Sequence, residues 1–145
     1  MNSLEGLRAV LADDHARVRG GVRALLEEAG IVVVGEGADA TDAQLLCRSC
    51  QPELLLLDFS MPGPHVSDTV AFVRRHSPTT RILILSAHDD DAFIGEALGA
   101  GVDGYLLKEE APDSLLEALA AVRAGAGWFS PLVRRKFPLA FGGEG

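Results

Sequence analysis

Leu54-Leu55-Leu56-Leu57-Asp58-Phe59-Ser60-Met61-Pro62-Gly63 is the stretch that decides the fold. Four consecutive leucines without polar alternation predict a short strand covered on both faces, as in the middle of a parallel sheet. The run ends on a carboxylate, and Met-Pro-Gly then forces an irregular loop, since proline and glycine both interrupt regular structure. In open α/β sheets, ligands gather beyond the carboxyl ends of the strands. Asp58 stands at that edge.

Upstream, Arg8 to Ala12 reads as an apolar strand that stops on Asp13-Asp14-His15. Val18, Val22, Leu25, Leu26 and Ala29 follow at helical spacing, with Gly30 as the closing C-cap. Residues 31–36 are β-branched and predict a second strand, and residues 40–50 a second helix that Gln51-Pro52 ends. Downstream, residues 67–75 predict a helix broken by Ser77-Pro78, and residues 81–86 a strand ending on Ser86. Residues 89–100 predict a helix stopped by Gly101, and residues 104–108 a brief strand ending on Lys108. Residues 112–124 predict a last helix, with Leu115, Leu119 and Val122 on one face. A strand followed by a helix, five times over, calls for a parallel sheet with helices on both sides. From Gly125 the pattern fades through Trp128-Phe129-Ser130-Pro131 to Arg134-Arg135-Lys136 and a glycine-rich end. That composition predicts a linker or frayed end with a solvated basic stretch, so residues 1–125 form the domain and 126–145 the tail.

Bulk properties narrow the function. The 145 residues, 48% hydrophobic and 23% charged, fit one globular domain with a substantial core. A net charge of -8 argues against a nucleic-acid grip by this segment. No apolar run has the length of a membrane span and no secretory leader is evident, so a cytoplasmic protein is expected, without membrane contact. Cys47 and Cys50 form a CxxC, but late in a predicted helix and without a second ligand pair. That spacing also suits two buried small apolar side chains on one helix face, which is the favoured reading.

Just past the strand ends stand Asp13 and Asp14, Asp58, Ser86 and Lys108. Parallel strands bring all of these to one edge. Crowded carboxylates repel unless a cation joins them, and an oxygen-only set suits Mg²⁺. A carboxylate can attack a phosphoryl group, with an ammonium and a hydroxyl steadying its oxygens.

The segments Val10-Leu11-Ala12-Asp13-Asp14-His15, Leu56 to Gly63, Leu85-Ser86-Ala87 and Gly104-Tyr105-Leu106-Leu107-Lys108 resemble the receiver domain of bacterial two-component response regulators. The resemblance implies a flavodoxin-like five-stranded sheet of order 2-1-3-4-5. It also implies that Asp58 is the acceptor of a phosphoryl group from a histidine kinase. Asp13, Asp14, Asp58 and the backbone carbonyl of Ser60 would hold Mg²⁺. Ser86 would swing toward the phosphoryl group, Tyr105 would rotate inward, and Lys108 would pair with the phosphate. Ser60 and His88 occupy positions that tune phosphoryl lifetime in that family.

The closing Gly-Ala-Gly-Trp-Phe-Ser-Pro is similar to the NarL/LuxR group, whose members carry a DNA-binding domain after a linker. Roughly 20 residues beyond the last helix are too few for a further packed domain. A receiver fragment of a transcription factor is therefore expected, the alternative being a stand-alone receiver. Altered homodimerisation on phosphorylation, or release of an attached output domain, would be its output, with DNA met only through the missing domain. Two departures stand out: Pro64-His65-Val66-Ser67-Asp68 after the Met-Pro-Gly loop, and Glu109 where many receivers have proline. A phosphorylation-independent scaffold is a competing reading. A haloacid-dehalogenase-type phosphatase is another, but it would need an aspartate where Ser60 stands, so no turnover enzyme is expected.

Overall fold

In the computed structural model, which describes residues 4–58, 61 and 63–141, the strands are β1 (Arg8–Ala12), β2 (Val32–Gly37), β3 (Leu54–Leu57), β4 (Arg81–Ser86), β5 (Gly104–Leu107) and β6 (Trp128–Phe129). All neighbours pair in parallel, in the order β2-β1-β3-β4-β5-β6. The expected order is kept, with one further strand at the β5 edge. Leu56 lies opposite Leu11 on one side and Leu83 on the other, so β3 is central.

The helices are α1 (Ala16–Glu28), α2 (Ala40–Cys50), α3 (Val66–His76), α4 (Asp91–Ala100), α5 (Leu115–Arg123) and α6 (Pro131–Lys136). They divide the interior in two. Leu55 and Leu57 join a core with Ala43 and Cys47 of α2, Val70 and Val73 of α3, and Ile94 and Ala97 of α4. Leu54 and Leu56 join the other, with Leu26 of α1 and Leu115, Leu119 and Val122 of α5. Successive strand residues point to opposite faces, and both faces are covered. That is why four leucines in a row are stable here, each fully buried leucine contributing about 1.5–3 kcal/mol.

Helix ends follow local chemistry. The α1 terminus hands over to Gly30 at φ 86°, a left-handed turn that glycine adopts without penalty. Asp90 caps α4, its side chain accepting from the Phe93 N–H at 3.4 Å. The last major helix starts at Leu115 rather than at residue 112. Residues 108–110 form a 3-10 turn and residues 111–114 further turns, and the Ala111–Pro112 peptide bond is cis.

The stretch after Gly125, expected as a linker or frayed end, instead extends the fold. Gly104 and Tyr105 pair with Trp128 and Phe129, and α6 buries Val133 completely. Gly104 makes this possible, because a Cβ there would stand 2.7 Å from both the Trp128 carbonyl oxygen and Leu83 Cδ1. Phe137, just past α6, lies against Gly95 of α4. The basic run is not wholly solvated either, since Lys136 Nζ bonds Asp91 Oδ1 at 2.8 Å. Among the described residues, no helix is long and apolar enough to cross a membrane.

Candidate functional site

β1 and β3 deliver the two buried carboxylates side by side. The Asp13 N–H continues the sheet by donating to the Gly37 carbonyl at 3.0 Å, and the Asp58 N–H donates to the Ala12 carbonyl at 3.0 Å. Asp13 Oδ1 accepts from the His15 N–H at 2.8 Å, which turns the chain into α1. Asp13 and Asp58 are 3% and 4% exposed, whereas Asp14 is open to solvent. Carboxylate oxygens of all three lie within 4.8 Å of one another.

Lys108 reaches into this group from the end of β5. Its Nζ stands 3.1 Å from Asp13 Oδ2 and 3.1 Å from Asp58 Oδ2. One ammonium thus spans two buried carboxylates, which would otherwise repel in a low-dielectric setting. Burial lifts the Asp13 pKa above its usual value and the Asp58 charge adds to that, against the His15 N–H and Lys108 bonds. For Lys108, burial opposes the charged form, but the Asp13 and Asp58 carboxylates outweigh it and raise the pKa. A cleft of about 350 Å³, lined by Ala87, Asp89, Leu107, Lys108 and Glu109, opens beside the ammonium. The donors are all oxygen, and two are held by backbone geometry, so the residues present fit a hard divalent cation such as Mg²⁺. Ser60, whose carbonyl was expected to contribute, lies outside the described residues.

Ser86 and Tyr105 gather around the backbone of His88. Ser86 ends β4 fully buried, and its Oγ accepts from the His88 N–H at 3.0 Å. The Tyr105 hydroxyl donates to the His88 carbonyl at 2.7 Å. Burial pushes the phenol up to about 12, reinforced by the charges of Asp90, Asp89 and Asp58 and opposed by the Ser86 hydroxyl. Expected to rotate inward, Tyr105 is already fully buried in this structure. The His88 ring stacks on Phe93, centroids 4.1 Å apart.

The departure at Pro64-His65 serves to start α3: His65 is its N-cap with extended backbone, and Val66 is buried directly after it. Cys47 is buried in the core and its thiol is pushed up to about 12, by burial first and by Cys50 second. Both cysteines are free thiols outside the carboxylate group, but only Cys47 is buried; Cys50 is half-buried, its thiol 3.9 Å from the Val34 carbonyl oxygen, so the pair is not buried as expected.

Three supporting residues escaped the sequence reading. Arg19 Nη1 donates to the Asp13 carbonyl at 2.6 Å and its Nε pairs with Glu36 at 3.3 Å. Glu110 accepts from the Leu107 N–H, and Ser130 donates to Glu110. No motif flags Arg19 or Glu110, and Ser130 stands in the closing Trp-Phe-Ser-Pro stretch without a role of its own there.

A family profile, the response regulator receiver domain, matches residues 9–120. The nitrate/nitrite response regulator NarL of Escherichia coli K12 is 38% identical over 126 residues, 86% of this chain and 58% of that protein. Among solved structures, a two-component response regulator of the LuxR family from Aurantimonas sp. SI85-9A1 superposes with a TM-score of 0.84 at 36% identity, covering 92% of this chain and 96% of that one. The signal receiver domain of NarL from Mycobacterium tuberculosis gives 0.76 at 38% identity, covering 83% and 98%. The chain spans a little over half the length of the curated relatives it matches, 54% to 62%. Sharing the receiver profile over most of its length and its sequence with NarL and LuxR relatives, this chain belongs to the receiver domains of bacterial two-component response regulators, in the NarL/LuxR family.

Proposed function

We propose that this chain is a phosphorylation-driven switch in which Asp58 accepts a phosphoryl group from a histidine kinase. The observation that carries the proposal is the Lys108 ammonium, 3.1 Å from each of two buried carboxylates beside the exposed Asp14. As an Asp58 oxygen bonds to phosphorus, the phosphorus–nitrogen bond of the phosphohistidine breaks and the departing imidazole takes up a proton. Lys108 stays in place to meet the phosphoryl oxygens, since phosphoryl transfer asks mainly for positioning and charge neutralisation. Asp13, Asp14 and Asp58, with the Ser60 carbonyl, would hold Mg²⁺, which neutralises negative charge on the carboxylates and on the incoming group when bound.

The product carries close to two negative charges and strong acceptor oxygens. Ser86 is the hydroxyl placed to respond: its Oγ accepts from the His88 N–H, and its O–H would turn to donate to a phosphoryl oxygen. Tyr105 is fully buried here, and in this reading phosphorylation favours that packing over one with the ring turned outward. The output we assign is homodimerisation, in a cytoplasmic protein. DNA contact belongs to an output domain outside these 145 residues, since the net charge of -8 disfavours a nucleic-acid surface here. Residues Ser60 and His88 are assigned to the lifetime of the phosphoryl group, with hydrolysis as slow reset rather than turnover.

Intact-protein mass after incubation with Mg²⁺ and acetyl phosphate tests the proposal, wild type beside Asp58→Asn. One labile phosphoryl addition that needs both Mg²⁺ and Asp58 is expected. A folded wild type that gains none would refute it.

A further inference from the structure

Glu110 lies two residues beyond Lys108, at the end of the 3-10 turn Lys108–Glu110. Its carboxylate has a partner on each oxygen. Oε1 accepts from the Leu107 N–H at 3.0 Å, and Oε2 accepts from Ser130 Oγ at 3.1 Å. Leu107 is the last residue of β5 and directly precedes the lysine. Ser130 is itself fixed: it is 1% exposed, its N–H donates to the Tyr105 carbonyl at 2.9 Å, and its Oγ also accepts from the Leu132 N–H at 3.3 Å. One side chain therefore ties the exit of β5 to the start of α6.

The consequence concerns aim. Lysine presents a compact charge on a flexible stem, so where its ammonium rests depends on the direction its backbone sets. Hydrogen bonds to an ionised carboxylate are roughly twice as strong as neutral ones. We propose that Glu110 is a positioning residue for Lys108. It holds the β5 exit so that the ammonium spans Asp13 and Asp58, and it is steadied in turn by Ser130. The β6–α6 segment thereby becomes part of the support of the phosphoryl site. The inference rests on the reading of Asp58 as phosphoacceptor.

The test uses the full chain as wild type, Glu110→Ala, Glu110→Gln and Ser130→Ala, with Glu110→Ala also combined with Lys108→Ala. Two quantities are read: the rate of phosphoryl addition from acetyl phosphate with Mg²⁺, and the hydrogen exchange of the Leu107 amide. E110A should slow addition about tenfold or more, as misplacing a reacting-site group does, and speed Leu107 exchange. E110Q keeps an oxygen for Leu107 and an N–H₂ that can donate to Ser130 Oγ but loses the charge, so it should restore both in part. S130A should shift both in the same direction by less. In the K108A background E110A should add no further loss of rate, because it acts through the lysine.

Losses that multiply in the double variant would mean a general structural role and overturn the proposal. So would unchanged addition in E110A when the wild type is phosphorylated. A wild type that takes no phosphoryl group would overturn the phosphoacceptor reading itself and the positioning role with it. Leu107 exchange would then still report whether the tether exists.

Discussion

Lys108 is the residue on which the charge balance of the site turns. Replacing it by alanine leaves Asp13 and Asp58 buried without their shared cation. Lys108→Ala should lower the rate of phosphoryl addition by about a hundredfold, the usual cost of losing one preorganised electrostatic group, as stopped time courses of intact mass would show. Tyr105 offers a different test, being the only tyrosine in the chain. Its phenol, pushed up to about 12, should show phenolate absorbance only near that pH when folded, and near 10 in denaturant. Because the folded value lies above the unfolded one, its contribution to stability is whole below about pH 10 and is lost as pH rises through about 12. A folded-state transition near 10 would mean that the ring is not buried. Cys47, also near 12, should stay unmodified by a thiol reagent at pH 8 until the protein is unfolded. Rapid labelling of Cys47 in the native state would revive the redox reading of the CxxC.

At the scale of elements, the strands that flank the site were the most legible. Arg8–Ala12 and Arg81–Ser86 emerge with the boundaries their apolar runs suggested, and Leu54–Leu57 is buried throughout. Leu55→Ala should cost about 2–5 kcal/mol in urea unfolding, since it opens a cavity in a core that α2, α3 and α4 share. What could not be read was β6, because two residues carry no periodicity to detect, and α6, whose six residues are a turn and a half. Their stability comes from contacts the local sequence does not encode: the pairing with Gly104 and Tyr105 and the full burial of Val133. Gly104→Ala tests that account. With the Trp128 carbonyl 2.7 Å from the added methyl, the variant should lose about 1–3 kcal/mol, and amide protection should fall first at residues 128–136. Uniform protection across the chain would mean that β6 does not depend on this close approach.

Taken whole, the molecule sets the ends of β1, β3, β4 and β5 along one edge, and that arrangement made most of the candidate site visible beforehand. Asp13, Asp58 and Lys108 are far apart in sequence, but parallel strands converge at their carboxyl ends, so topology alone predicts their meeting. What Arg19, Glu110 and Ser130 do was invisible for the opposite reason. Their roles depend on where long or buried side chains reach in three dimensions, which no period or motif records. One core links the site to the tail: Tyr105, Ile94 and Val133 share one interior, so packing beside β5 and α4 is continuous with α6. Phosphorylation should accordingly shift sedimentation toward a dimer under conditions where the unmodified chain is a monomer. An unchanged sedimentation coefficient in fully phosphorylated protein would contradict that output.

In the proposed switch one carboxylate, Asp58, carries the phosphoryl group. Borohydride reduces an acyl phosphate to an alcohol, so treating the freshly phosphorylated chain should leave homoserine where the phosphoryl group had been. Peptide mass mapping is predicted to find homoserine at position 58 alone, and only when Mg²⁺ and the phosphodonor were both present. Homoserine at position 13 or 14, or none in a folded and donor-treated protein, would contradict the account.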